Sequence, residues 1–116
     1  QGADVLSPMA NQASLGVMEA AQESGTSKAI GSGLNQETVA PDAAVTAIVK
    51  DTSIAYEAAY KAYIAGEIPN EPIKMGAAQG VVYIGDYYTE TSEEVKTQLA
   101  DIYAKLAAGE ITITLQ

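Results

Sequence analysis

The stretch Ala3–Gly33, ADVLSPMANQASLGVMEAAQESGTSKAIGSG, decides how the chain folds. ADVLS reads as a strand, PMANQAS as a polar loop, LGVMEAAQESG as a helix and SKAIGSG as a second strand. The helix, from about Ala13 to Ser24, puts Val17, Met18 and Ala21 on one face at helical spacing. Gly25 follows as the residue that ends a helix in the left-handed conformation. Strand, helix and strand in this order make a βαβ unit over residues 3–33. Both of its strands end in loops of small and polar residues. Such loops, at the carboxyl ends of parallel strands, are where open α/β sheets place their ligands.

Outward from this unit the alternation continues. SGLNQETVAPD is a loop that Pro41 closes. AAVTAIVK, residues 43–50, holds the β-branched Val45, Thr46, Ile48 and Val49 and ends in a charge, as a buried strand does. Asp51, Thr52 and Ser53 are all competent caps for the helix that follows, Ser53 to Ala65, which stops at Gly66. Ala55, Ala58, Ala59 and Ala62 form a small-residue face on it, and Tyr56, Tyr60 and Tyr63 form a second face. PIKMG (72–76) and GVVYIG (80–85) read as short strands joined by AAQG into a hairpin. Thr91 and Glu94 have capping-box spacing for a helix over 92–108. Val95, Leu99, Ile102 and Leu106 fall in one stripe along it. EITITLQ reads as a terminal strand. The expectation is an α/β layered fold, a mostly parallel sheet flanked by helices. Three helices and about six short strands are few for a free-standing doubly wound domain, so some strands are expected to lack a neighbour.

Composition excludes several chemistries. The 116 residues suffice for one domain, and 47% are apolar, enough to fold. The chain has no Cys, His, Trp, Phe or Arg. That removes zinc-finger and HEXXH-type metal sites, a cysteine nucleophile, a Ser-His dyad and any disulfide. Six lysines against 15 acidic residues give a net charge of −9, and the lysines (28, 50, 61, 74, 96, 105) are scattered. Nucleic acid and anionic membrane surfaces are therefore not expected as partners. No apolar run approaches a membrane span, and no signal or lipidation motif is present. The chain opens at Gln1 and enters a strand almost at once, which reads as a fragment or processed product.

Three places carry candidate binding chemistry. In the loop Met9–Ser14, the residues Asn11, Gln12 and Ser14 precede a helix whose free N–H groups point into the loop. The plain alternative is a strand-to-helix turn capped by Ser14 or Asn11. In Gly31-Ser32-Gly33-Leu34-Asn35-Gln36, two glycines permit a close backbone approach to a ligand. The run lacks the third glycine and following helix of a dinucleotide fingerprint, so no cofactor is expected. Lys50, ending an apolar strand, is placed to hydrogen-bond a polar ligand or to sit solvated. Asp86-Tyr87-Tyr88 offers flat faces for stacking or is simply a tyrosine-rich loop. Glu93-Glu94 in a first helical turn suits the helix dipole better than acid–base catalysis.

The segments ADVLSPMANQASLGVMEAAQESG, KAIGSGLNQ and APDAAVTAIVKDTSIAYEAAY, with the tail GVVYIGDYYTETSEEVKTQLADIYAKLAAGEITI, resemble the C-terminal third of the basic membrane protein family. These are extracytoplasmic, usually lipid-anchored substrate-binding proteins of ABC transporters, and they include purine nucleoside receptors. The resemblance implies a type I periplasmic-binding fold, two α/β lobes with a ligand clamped between them. Residues 1–45 and 77–116 would belong to lobe two. Residues 46–76 would form the hinge crossing and a piece of lobe one, with the alanine face of helix 53–65 left uncovered. It further implies a lipidated segment and most of lobe one upstream, a membrane permease as partner, no enzymatic activity, and self-association of this chain on its own.

Residue by residue, the family's ligand-contacting AGGTG loop falls on Ala10, Asn11, Gln12, Ala13 and Ser14, with every glycine replaced. The aspartate that binds ribose hydroxyls in nucleoside receptors falls on Gly33, and the next aspartate on Asn35. Lys50 matches the family's ligand-contacting lysine. The expected ligand residues are thus Asn11, Gln12, Gly33, Asn35 and Lys50. The expected ligand is a small polar solute such as a nucleoside or a sugar-like molecule. A ligand-sensing domain of a regulatory protein on the same fold is the alternative, and a flavodoxin-like enzyme the weakest reading.

Overall fold

A computed structural model describes residues 2–33 and 36–114. In chain order it contains β1 (Val5–Leu6), α1 (Ala13–Ser24), β2 (Lys28–Ser32), β3 (Ala44–Lys50), α2 (Thr52–Ala65), β4 (Val82–Ile84) and α3 (Glu93–Ala107). Short 3-10 turns span Gln36–Thr38 and Ala77–Gln79. The four strands form one sheet in the order β1-β2-β3-β4. The first three are parallel, with Val5 opposite Lys28, Ala29 opposite Ala44 and Ser32 opposite Ile48. β4 runs the other way. Asp51 N–H donates to the Val81 carbonyl (2.7 Å), Gly85 N–H to Ala47 (2.8 Å) and Tyr88 N–H to Val45 (2.9 Å), so partner numbers fall as the chain rises. The fold is the expected α/β class with a mostly parallel sheet.

The chain divides into two compact units, Gln1–Val49 with Ile84–Lys96, and Lys50–Tyr83 with Thr97–Gln116. The first has a core of small residues. Met18 and Ala21 of α1 are buried with Ala29, Ala40, Ala43 and Ala44, and Leu6, Val39 and Tyr88 pack against them. Alanines on the strands let the helix approach closely, and among the described residues Met18 is the largest side chain completely enclosed. Gln22 anchors α1 to the entry of β3. Its amide donates to Asp42 Oδ2 (2.9 Å) and its carbonyl accepts from Asp42 N–H (2.9 Å) and Ala43 N–H (3.2 Å).

In the second unit Asp51 caps α2. Its Oδ1 accepts from the Ser53 backbone N–H (3.0 Å) and hydroxyl (2.5 Å). Gly66, at φ 72°, ends the helix as the sequence leads one to expect. Tyr103 of α3 donates its hydroxyl to the Ala77 carbonyl (3.3 Å). Thr52, Ala55, Tyr56 and Ala59 of α2 line an open trough with Ile73, Met75 and Val81.

Three local expectations are corrected. Residues 72–76 form no strand, and the hairpin with 80–85 is absent: Pro69 and Pro72 remove donors, and β4 takes β3 as its partner instead. Of the expected terminal strand EITITLQ, residues 110–114 form no strand, and Leu115 and Gln116 lie outside the described residues. α3 starts one residue later than Thr91 would set it. Ser92 Oγ accepts the Val95 N–H (3.4 Å), while the Thr91 hydroxyl donates to the Thr89 carbonyl (3.3 Å).

Candidate functional site

The carboxyl ends of β1 and β2 lie side by side in the first unit, since the strands are parallel neighbours. The chain leaving β1 winds directly into α1. Ala13 N–H bonds to Ala10 O (3.1 Å), Ser14 N–H to Asn11 O (3.0 Å) and Leu15 N–H to Gln12 O (3.1 Å). Asn11 takes φ 51°, where Asn is one of the few side-chain-bearing residues that sit comfortably. Gln12 occupies the cap position of α1 but makes no side-chain cap bond. Asn11 and Gln12 are exposed, and neither side-chain amide is used by the fold. Ser14 is not the cap. It is completely buried inside the first turn of α1, and its hydroxyl accepts the Ala10 N–H (2.9 Å).

The loop leaving β2 is held by a residue whose role the sequence did not disclose. Gln36 accepts the Ser32 N–H on Oε1 (2.7 Å) and donates Nε2–H to the Ser32 carbonyl (2.9 Å). A Cβ on Gly31 would stand 2.8 Å from Gln36 Oε1 and 3.3 Å from Ala47 Cβ, so this strand position takes glycine. A glycine inside a strand pattern is the one signal that pointed to such a close approach. Gly33 lies at φ 124° and donates its N–H to Ile48 O (3.0 Å). Asn35 lies outside the described residues. Lys50 is the exposed last residue of β3 and belongs to the second unit. The structure therefore brings Asn11, Gln12 and Gly33 to one sheet edge within one unit.

The tyrosine-rich loop is put to structural use. Tyr88 packs on the core, and Lys96 Nζ lies 5.4 Å from the Tyr87 ring centroid. Among the described residues there is no group of three or more His, Cys, Asp or Glu able to hold a metal ion, and no helix long and apolar enough to cross a membrane.

Parallel strands β1 and β2, with the exposed amides of Asn11 and Gln12 beyond their carboxyl ends, make an edge of the kind at which open α/β sheets place ligands. The comparisons specify it further: the chain belongs to the Bmp family, ABC transporter substrate-binding protein PnrA-like, whose model matches residues 1–116. Among solved structures it is similar to a transcriptional activator of the comK gene from Bacillus halodurans, at a TM-score of 0.83 and 22% identity. That match covers 96% of this chain and 39% of the neighbour, so the chain spans well under half the length of that protein. At this identity the likeness shows the fold. Comparison with curated proteins finds no match.

Proposed function

We propose that this chain is part of the solute-binding component of an ABC importer, working outside the cytoplasm and performing no chemistry. Membership of the Bmp family over residues 1–116 carries this reading. The solute is a small polar molecule such as a nucleoside or a sugar-like compound, bound between two lobes. Residues 1–45 and 77–116 contribute to lobe two, and residues 46–76 to the hinge crossing and lobe one. Asn11 and Gln12 supply amide donors and acceptors suited to hydroxyls and ring nitrogens. Gly33 lets a ligand approach the backbone, Asn35 adds a third amide, and Lys50 a charged donor. With Gly33 in the aspartate's place, a charge-assisted bond to ribose hydroxyls is not available there. Amide-mediated recognition replaces it. The whole protein would hand its solute to a membrane permease and be tethered by a lipidated segment.

A second reading is a ligand-sensing domain of a regulatory protein, favoured by the structural neighbour's being a transcriptional activator. Thermal-shift screening of nucleosides and sugars, followed by calorimetry, tests the binding step common to both. Loss of labelled-solute uptake in cells lacking the protein supports the importer. Unchanged uptake with altered transcription supports the sensor. No shift with any compound sinks the nucleoside and sugar assignment.

A further inference from the structure

The alternation of backbone groups along β2 shows what Gln36 replaces. Ala29 N–H bonds to Ala43 O and Gly33 N–H to Ile48 O, so the odd-numbered residues address β3. Lys28 N–H bonds to Asp4 O, so residues of the other parity address β1. Ser32 has the parity of Lys28. Were β1 to continue, Ser32 N–H would meet the carbonyl of Pro8, and its carbonyl would accept from Ala10 N–H. Instead β1 ends at Leu6. Ser32 gives both groups to the Gln36 side-chain amide, a chemical copy of a peptide group. Ala10 gives its N–H to the buried hydroxyl of Ser14.

The two strands are thus parted at their carboxyl ends, and a side chain satisfies the freed backbone on each side. Had these plugs been absent, the partly buried Ser32 groups would favour re-pairing with the β1 continuation. We infer that Gln36, assisted by Ser14, is a positioning residue that holds open a notch between the β1 and β2 loops, where Asn11, Gln12 and Gly33 meet the solute. This rests on the solute-binding reading for its purpose, though not for its geometry.

Amide hydrogen exchange by NMR on the full chain tests it, with Gln36→Met as the main variant. Methionine fills similar volume but makes neither bond, which separates packing from hydrogen bonding. In the wild type the Ser32 amide should exchange slowly although no strand covers it. In Gln36→Met it should exchange at least tenfold faster, while Ala29 and Gly33, bonded to β3, stay slow and report an intact fold. Inosine and D-ribose serve as binding probes. Whichever binds the wild type should bind Gln36→Met at least tenfold more weakly.

Equal Ser32 exchange in the two proteins overturns the proposal. So does faster exchange at Ala29 and Gly33 to the same degree, or unchanged probe affinity once Ser32 is freed. Gln36→Ala, run in parallel, must show the same Ser32 pattern if Gln36→Met perturbs packing. If neither probe binds the wild type, the nucleoside and sugar assignment fails by itself, and the exchange pattern still decides whether Gln36 holds the notch.

Discussion

Replacing Gly31 by alanine probes the contact on which the β2 loop depends. The new methyl would lie 2.8 Å from Gln36 Oε1, 3.4 Å from Gln36 Cβ and 3.3 Å from Ala47 Cβ. Ala47 is buried in the sheet and can yield only by a few tenths of an ångström, so the Gln36 side chain must leave. Its departure breaks both bonds to Ser32, each worth about 1 kcal/mol net, and strands two partly buried backbone groups. The expected loss is about 2–4 kcal/mol. Gln36→Ala breaks the same two bonds and should cost a similar amount. In the double variant the obstruction is already gone. The Gly31→Ala step then costs little, and it gains about 0.4–1 kcal/mol from a stiffer unfolded chain. The double variant should therefore be scarcely less stable than either single one, with a coupling of about 2 kcal/mol or more. Urea unfolding followed by circular dichroism measures it, with equal slopes required across the four proteins. If the two losses simply add to within about 0.5 kcal/mol, Gln36 does not fill the space above Gly31.

Other perturbations test separate parts of the structure. Met18→Ala should destabilise by about 2–4 kcal/mol in urea unfolding, because Met18 is completely enclosed among alanines that cannot collapse onto the void. Asn11→Gly should be neutral within a few tenths of a kcal/mol, whereas Asn11→Val should lose about 1–2 kcal/mol through the strain of its positive φ; equal unfolding midpoints would deny the left-handed turn. Glu57 titrates below its ordinary value of 4.5, first through its hydrogen bond to Lys61 and then through the attraction of that ammonium. Its contribution to stability is present above the ordinary value and lost as pH falls through the lowered one. Carboxyl NMR should show Lys61→Ala raising the Glu57 titration, and an unmoved curve would refute the pair. The chain should also self-associate in a light-scattering concentration series through the exposed Tyr56, Tyr60, Tyr63 and Ile64 of α2. Tyr60→Glu should shift it towards monomer, and a wild type monomeric throughout would contradict this.

The fold was legible wherever one physical signal dominated. Period and capping placed α1 and α2, since Gly25, Asp51 and Gly66 do in the structure what their chemistry suggests. β3 was readable because its β-branched run is flanked on both sides in the sheet. Short strands were harder. Five residues with one proline, PIKMG, have the look of a strand but pair with none, and strand formation is decided by the partner rather than by the segment. The same holds for 110–114. At the site, the sheet edge and its exposed amides followed from the βαβ pattern. The Gln36 bonds did not, because a side chain reaching back four residues to imitate a missing strand leaves no periodic trace. Ser14 misled for a related reason. Its type and position are those of a cap, yet its hydroxyl serves the chain behind it.

The two units, each taken by itself, are stabilised in different ways. The first carries nine carboxylates against Lys28 and Lys96, a net −7, around a closed core. The second carries six carboxylates against Lys50, Lys61, Lys74 and Lys105, a net −2. Among its described residues only Val81 is buried. A 14-residue helix such as α2 is marginal on its own in water. What keeps α2 formed is therefore local: the Asp51 cap, the Gly66 terminus, the Glu57–Lys61 pair and the trough it makes with Ile73, Met75 and Val81. The cap is worth about 1 kcal/mol, and the exposed Glu57–Lys61 pair adds little to it. The first unit resists unfolding through burial, which no single surface substitution removes. The second resists it through a sum of small terms, so the first of them to fail should loosen α2 while β2 and its notch remain intact.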